Sequence, residues 1–227
     1  MSSRPIALVT GASRGIGAAV ARSLADTHDV LLGGRDGEAL RSMAGEIDGA
    51  RPWPVELTDQ DAVAEAVSGI ERLDVLVHSA GLIELGPVSD AGVESWRRTF
   101  ELNLFAVTEL TRLLLPALRA AQGHVALVNS GAGLSAKPNW GSYAASKFAL
   151  RAFADTLRAE ESARGVRVTS VFPGRVDTEM QRGIRAVEGG EYRPEIYLQP
   201  DSVAAQVVAA VRAPRDAHLT EIVVRPS

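Results

Sequence analysis

A tyrosine four residues ahead of a lysine, Tyr143-Ala-Ala-Ser-Lys147, places a phenol and an ammonium one turn apart on a segment that reads as helix. An unperturbed phenol, with a pKa near ~10, is a poor acid or base at neutral pH, but a cation held against it favours the phenolate. The pair is therefore a means of moving a proton. Lysine suits that use: of the 24 basic residues only Lys137 and Lys147 are lysines, and a slender ammonium can hydrogen-bond a ribose while still facing the phenol. Taken alone, the pair reads equally well as an exposed aromatic and a solvated charge on a helix.

Two other features carry residue types fit for chemistry. Thr10-Gly11-Ala12-Ser13-Arg14-Gly15-Ile16-Gly17 follows a short apolar run and opens a helical segment. Glycines at this spacing bring backbone close to a pyrophosphate, whose charge then rests on free N–H groups and the positive end of the helix. Without a ligand, the same pattern is a glycine-lined turn. Ser130 closes another apolar run, thirteen residues before Tyr143, and its hydroxyl can bond the same substrate oxygen as the phenol. It would orient and polarise that oxygen; without Tyr143, an ordinary strand-end hydroxyl before Gly131 is the better reading. Nucleophilic attack needs a histidine and a carboxylate beside the serine, and His124 lies at the opposite end of the same run.

These residues need a frame. Short apolar runs recur at 6–10, 30–32, 54–56, 75–78, 125–129, 166–172 and 222–224, with helical segments between them. The alternation predicts an α/β fold with a doubly wound parallel sheet, about seven strands with helices on both faces. Runs of valine, leucine and isoleucine with little polar alternation fit strands covered on both sides. The clearest helix is predicted over 92–121, where Trp96, Phe100, Asn103, Val107, Leu110 and Leu114 repeat at spacings of three and four. Asn103 interrupts that apolar stripe, so its amide either bonds neighbouring backbone or lines a solvated site. No linker divides the chain. Residues 1–227 are expected to form one domain, with a substrate lid at about 179–200, where periodicity is weak and Gly189-Gly190 and several charges occur.

Composition narrows the function classes. The 227 residues carry a formal charge of -4, with no basic excess to track a phosphate backbone, so nucleic acid is not an expected partner. There are no cysteines, which removes disulfides, thiolate chemistry and cysteine-based zinc sites. His28, His78, His124 and His218 lie far apart without ligand spacing, and no metal site is expected. The apolar run near the amino terminus is too short for a signal sequence. The expectation is a cytoplasmic protein with no membrane partner.

In its ordered landmarks the sequence resembles the short-chain dehydrogenase/reductase family, in its single-domain branch, over nearly the whole chain. The family's glycine motif matches 10–17, its Asn-Asn-Ala-Gly strand end appears as His78-Ser79-Ala80-Gly81, and its active-site asparagine falls on Asn103. Its serine falls on Ser130 and its Tyr-x-x-x-Lys on Tyr143 and Lys147. Pro173-Gly174-Arg175-Val176-Asp177-Thr178 matches the stretch with which the family binds the nicotinamide amide through backbone and a threonine. The resemblance implies a single Rossmann-type domain and hydride transfer between a nicotinamide cofactor and a small carbonyl or alcohol, with Ser130, Tyr143, Lys147 and Asn103 catalytic. Tyr143 is the implied proton donor and acceptor, its pKa lowered by Lys147 and the positive nicotinamide, and Asn103 completes a proton path through water to Lys147. The implied cofactor set is Gly11, Ser13, Arg14, Gly15, Ile16, Gly17, Arg35, Glu56, Leu57, Ala80, Gly81, Pro173, Gly174, Val176 and Thr178, with Tyr143 and Lys147. His78 replaces the usual first asparagine and is expected to be structural, donating to backbone across the sheet. Glu56-Leu57 stands where the family usually has an aspartate against adenine.

Charge selects the cofactor. Members selective for NAD place a carboxylate at the end of the second strand, where a 2′-phosphate is repelled. That position falls on Gly34, Arg35 follows it, and Arg14 supplies a second guanidinium. NADP(H) is the expected cofactor; the competing reading has Asp36 bonding the ribose, or both arginines merely solvated. Leu82, Leu134, Trp140 and Met180 are expected at the substrate, with Ile83, Tyr192 and Tyr197 nearby. Arg182, Arg185 and Arg193 stand among Glu188, Glu191 and Glu195, which favours a solvated charged lid over a carboxylate site there. The expected function is an NADP(H)-dependent carbonyl reductase that also runs as an alcohol dehydrogenase. Its rivals are a cofactor-binding sensor or scaffold with little activity, and a sugar epimerase or dehydratase of the extended branch, which needs a longer carboxy-terminal substrate domain. The resemblance further implies pairing through the helices carrying Tyr143 and Asn103, with a homodimer favoured over a homotetramer.

Overall fold

The branched apolar runs pair side by side, all in parallel. The computed structural model describes residues 4–227. Its strands are β1 (Ile6–Thr10), β2 (Asp29–Gly34), β3 (Ala50–Pro54), β4 (Val75–His78), β5 (His124–Val128), β6 (Arg167–Pro173) and β7 (Glu221–Val224). They form one sheet in the order β3-β2-β1-β4-β5-β6-β7. Between them run α1 (Gly15–Ala25), α2 (Gly37–Ala44), α3 (Gln60–Val67), α4 (Val93–Phe100), α5 (Ala106–Ala121), α6 (Gly141–Glu161), α7 (Glu179–Val187) and α8 (Pro200–Arg212).

Successive strand side chains feed two cores, one on each face. In β1, Ala7 and Val9 join one and Leu8 the other; in β4, Val75 and Val77 oppose Leu76; in β5, Ala126 and Val128 oppose Val125 and Leu127. The first core closes on Leu24 of α1 and Val207 of α8, the second on Val63 of α3, Leu114 of α5 and Leu150 of α6. Both faces are covered, which is why these strands read as continuous apolar runs. The fold is the Rossmann-type doubly wound sheet that the alternation predicts.

Three elements differ from the expectation. β3 spans residues 50–54 and not 54–56. Pro52 and Pro54 argue against a strand, yet β3 is the sheet's edge, where proline is tolerated, and Trp53 is buried with its indole N–H donating to the Ala66 carbonyl. The long helix is divided: α4 passes into a π-helical stretch, Glu101–Phe105, before α5. That turn is wound wider at Asn103, a local change that apolar spacing does not encode. The segment after Thr178 is α7, with Met180, Ile184 and Val187 on one helical face, followed by a short turn at Pro194–Ile196 and the start of α8. Charges interleaved with that stripe hide its period.

The chain runs outward from β1 to β3 and returns with β4 beside β1. A crevice therefore opens at the carboxyl ends of β1 and β4. Among the described residues, no helix is long and apolar enough to cross a membrane.

Candidate active site

The glycine turn after β1 is built for close approach. Gly11 has φ +66°, and a Cβ there would lie 2.8 Å from the Ala80 nitrogen. A Cβ on Gly17 would lie 2.2 Å from the Gly11 carbonyl oxygen, so the turn closes on itself only without side chains. Thr10 pins it to the end of β4: its Oγ1 accepts from Ser79 N (3.1 Å) and Ala80 N (3.3 Å) and donates to the Val77 carbonyl. The turn forms the floor of a cleft of about 1510 Å³ that runs across the carboxyl ends of the strands to Ser130, Tyr143 and Lys147.

Three elements set the proton-moving group. Ser130 follows β5; its hydroxyl accepts from Ala132 N at 3.1 Å and is close enough to the Tyr143 phenol of α6 to act on its titration. Lys147, one turn along α6, is buried, donates from Nζ to the Val128 carbonyl at 3.1 Å, and lies 5.8 Å from the centre of the Tyr143 ring. Asn129 locks strand to helix, donating to the Lys147 carbonyl (3.1 Å) and accepting from Ser130 N (2.8 Å). Sequence reasoning missed Asn129; an amide closing a buried apolar run was its only signal. Asn103 is fully engaged: Oδ1 accepts from Leu82 N, and Nδ2 donates to the Leu82 carbonyl and to Ser146 Oγ, which itself donates to the Tyr143 carbonyl. Of the two environments open to it, Asn103 takes neighbouring backbone and braces the loop after β4 against α6.

Burial dominates the titration of this group. The Tyr143 phenol is pushed above the ordinary tyrosine value by desolvation, with the neighbouring Ser130 hydroxyl acting in the opposite sense. This corrects, for the chain without cofactor, the expectation that Lys147 lowers it: burial outweighs other influences on the phenol, and the ammonium is bonded to the Val128 carbonyl. Desolvation brings Lys147 itself down to about 8. His78 is buried against the Thr111 hydroxyl at 2.9 Å, a side chain and not the backbone expected, and desolvation with the nearby Lys147 charge lowers it to about 3. It is neutral at physiological pH.

At the other end of the cleft, Gly34 ends β2 and Arg35 follows it. Among the described residues Arg35 is exposed and has no hydrogen bond or ion pair. The Asp36 carboxylate caps α2, accepting from Glu38 N and Ala39 N, and is thereby committed to backbone. Arg14 pairs with Glu179 at the start of α7, a bridge across the cleft between exposed groups. Glu56 accepts from Thr58 N and Oγ1, and Leu57 is buried beside it; both line the cleft. Thr178 caps α7 through Gln181 N, and its methyl approaches Gly15.

Ser13, Ile16, Gly81, Pro173, Gly174 and Val176 also border the cleft, as do the substrate candidates Leu82, Trp140 and Met180. Leu134 does not. It ends the short 3₁₀ turn Gly131–Gly133, and the cleft wall is carried instead by Ser135 and Lys137 from the next turn. Tyr197 is buried in the wall, whereas Tyr192 donates to Asp177. Arg182 pairs with Asp177, Arg185 with Glu188 and Arg193 with Glu195.

A family model described as short chain dehydrogenase matches residues 5–189. This chain belongs to that family. It is 34% identical over 233 residues to an uncharacterized short-chain type dehydrogenase/reductase of Sinorhizobium fredii, covering 100% of this chain and 93% of that one. It is 33% identical over 235 residues to the glycine betaine reductase of Emericella nidulans, covering 97% of this chain but 18% of that much longer protein. Among solved structures, a short chain dehydrogenase from Burkholderia cenocepacia in complex with NADP superposes with a TM-score of 0.84 at 30% identity, covering 99% of this chain and 90% of that one. The short-chain dehydrogenase fold and oxidoreductase class thus rest on the whole length of the chain.

Proposed function

We propose that this short-chain dehydrogenase is an NADP(H)-dependent reductase that interconverts a small or medium carbonyl compound and its secondary alcohol. The observation that carries the proposal is the convergence of Ser130, Tyr143 and Lys147 on one cleft wall, with the Lys147 ammonium 5.8 Å from the centre of the Tyr143 ring. The cofactor fits this chain: the turn from Gly11 to Gly17 excludes side chains where a pyrophosphate would approach, and Arg35 is an unpaired cation where a 2′-phosphate would sit. The NADP complex of the Burkholderia relative supports the same choice. When bound, the reduced cofactor supplies a hydride.

The protein's part is to manage one proton. The Tyr143 hydroxyl donates it to the carbonyl oxygen as that oxygen gains charge, and the Ser130 hydroxyl holds the same oxygen by hydrogen bond. Lys147, fixed by the Val128 carbonyl, supplies positive charge near the phenolate left behind. In alcohol oxidation the same atoms act in reverse. We assign Asn103 a positioning part in this relay, through Leu82 and Ser146, and the segment 179–200 the part of a lid.

Oxidation of NADPH by the purified chain against small ketones, aldehydes, diones and oxo acids tests the reading. Tyr143→Phe should lower turnover by at least roughly a hundredfold while NADPH binding, followed by its fluorescence, is kept. Turnover retained in that variant would overturn the assignment. NADPH binding without reduction of any carbonyl would instead favour a cofactor-binding sensor.

A further inference from the structure

Most cations that line the cleft are committed to partners within the protein. Arg14 is held by Glu179, Arg175 by Glu188 and Arg22 by Glu46, while Lys147 donates to the Val128 carbonyl and Arg225 to the Phe172 carbonyl. Two are not. Among the described residues, Arg35 and Lys137 line the cleft and have neither hydrogen bond nor ion pair from their side chains. They belong to opposite ends: Arg35 follows β2, and Lys137 lies in the loop between Ser130 and Tyr143. An unpaired cation at the first end has an anion waiting for it in the proposed cofactor, the 2′-phosphate. The second has none.

The loop that carries Lys137 is fixed in place. Lys137 precedes Pro138, which restricts its backbone to extended conformations. Its carbonyl accepts from Trp140 N at 3.3 Å, and the Asn139 carbonyl accepts from Gly86 N at 2.9 Å, with Asn139 at φ 68°. Trp140 packs edge-on to Tyr143, ring centres 5.8 Å apart, which ties the lysine's turn to the reacting phenol. Residues 131–142 contain no acid. The acids of the cleft wall are engaged elsewhere: Glu56 with Thr58, Asp177 with Tyr192 and Arg182, and Glu179 with Arg14. Asp201 stands in the first turn of α8. The neighbouring wall is apolar, made by Leu82, Ile83, Trp140 and Met180.

We propose that Lys137 is a specificity-determining residue that receives a carboxylate, and that the preferred substrates are oxo acids with an apolar body, the carbonyl at Tyr143 and the carboxylate at Lys137. The proposal rests on the carbonyl-reductase reading above. An ammonium on a long, slender stem meets a carboxylate with a charge-assisted hydrogen bond, which an ester of the same body does not offer.

The test compares 2-oxo, 3-oxo and 4-oxo pentanoates with their ethyl esters, using purified enzyme and NADPH. In the wild type at least one acid should exceed its ester at least tenfold in kcat/KM. Lys137→Met should lower that acid-to-ester ratio tenfold or more, through KM for the acid and not through kcat, and Lys137→Arg should restore most of it. Raising ionic strength should shrink the wild-type ratio and leave that of Lys137→Met unmoved. No acid exceeding its ester, or a Lys137→Met ratio equal to the wild type's, overturns the proposal. If the esters are reduced and Tyr143→Phe abolishes that reduction, the carbonyl-reductase reading stands when the carboxylate proposal fails. If neither acids nor esters are reduced, the proposal is overturned, and the NADPH-binding measurement and the wider carbonyl panel then decide the parent reading.

Discussion

The Ser130 hydroxyl lies beside the Tyr143 phenol and acts on it against the upward pull of burial. Removing it leaves desolvation unopposed. Alcohol oxidation needs the phenolate and so rises with pH through the phenol's apparent pKa, while carbonyl reduction needs the protonated form and falls there. Ser130→Ala should move both limbs to higher pH and lower oxidation at neutral pH by roughly tenfold or more, since a positioned acid–base contact is worth about that at least. Profiles of kcat/KM in both directions check this. Unchanged limbs would mean that Ser130 only fills space beside the phenol.

Arg35 and Arg14 should contribute unequally to cofactor choice. Arg35 is unpaired, whereas Arg14 must first leave Glu179 to meet a phosphate. The wild type should prefer NADPH to NADH by at least tenfold in kcat/KM, a difference of about 1.4 kcal/mol. Arg35→Ala should erode that ratio more than Arg14→Ala, and Glu179→Gln, which frees Arg14, should tighten NADPH binding without altering NADH. Gly34→Asp with Arg35→Ile should move preference toward NADH, because the new carboxylate accepts a ribose hydroxyl and repels a phosphate. Binding measured by quenching of tryptophan fluorescence separates these effects from turnover. A wild type that favours NADH would show that both arginines are only solvated charges.

Much of this arrangement was legible in the chain, and the rest was hidden for physical reasons. β1, β4 and β5 are buried on both faces, so their apolar runs mark them without ambiguity. The turn from Gly11 to Gly17 is legible because backbone contacts of 2.8 Å and 2.2 Å leave room for no other residue. β3 was displaced because its edge position forgives two prolines. The π-helical turn at Asn103 depends on a bonding pattern that residue types do not carry. Arg14 and Glu179 meet across 165 residues, and only the fold reveals that one of two expected phosphate contacts is already engaged. The direction of the Tyr143 shift in the chain without cofactor was misjudged because helical spacing states how close Lys147 comes, but not that burial outweighs other influences on the phenol or that the ammonium is bonded to the Val128 carbonyl.

His78 and His124 should make the protein sensitive to acid. Each is buried against a threonine hydroxyl and lowered to about 3, chiefly by desolvation. In the unfolded chain both return to about 6.5. Between these values the unfolded state binds more protons, so stability is full above about pH 6.5 and is lost as pH falls toward 3. At pH 5 the loss should be roughly 2 kcal/mol for each histidine. Urea unfolding near neutrality and at pH 5 measures it. His78→Asn with His124→Asn should flatten the dependence; an equally steep loss in that double variant would assign the acid sensitivity to other groups.

Assembly is the remaining expectation, and the surface now supplies residues for it. Phe105, at the junction with α5, and Phe148 of α6 are 47% and 42% exposed in the single chain. Trp96, Phe100 and Phe105 form a row with ring centres 6.4 Å apart along α4 and the π-helical turn. Exposed aromatics on the very helices that carry Asn103 and Tyr143 fit a face covered by a second copy. Association would also brace α6, on which Tyr143 and Lys147 depend for their spacing. We therefore expect at least a dimer at micromolar concentration, with Phe148→Glu shifting it to monomer, since a carboxylate buried in a paired apolar face lacks a partner. Phe105→Glu should act in the same direction. Sedimentation equilibrium resolves the two states, and a wild type found only as a 24.0 kDa species would overturn the assembly. In the Phe148→Glu variant, Tm and NADPH binding report whether the fold itself survives, so that a monomer arising from unfolding is not mistaken for a dissociated dimer.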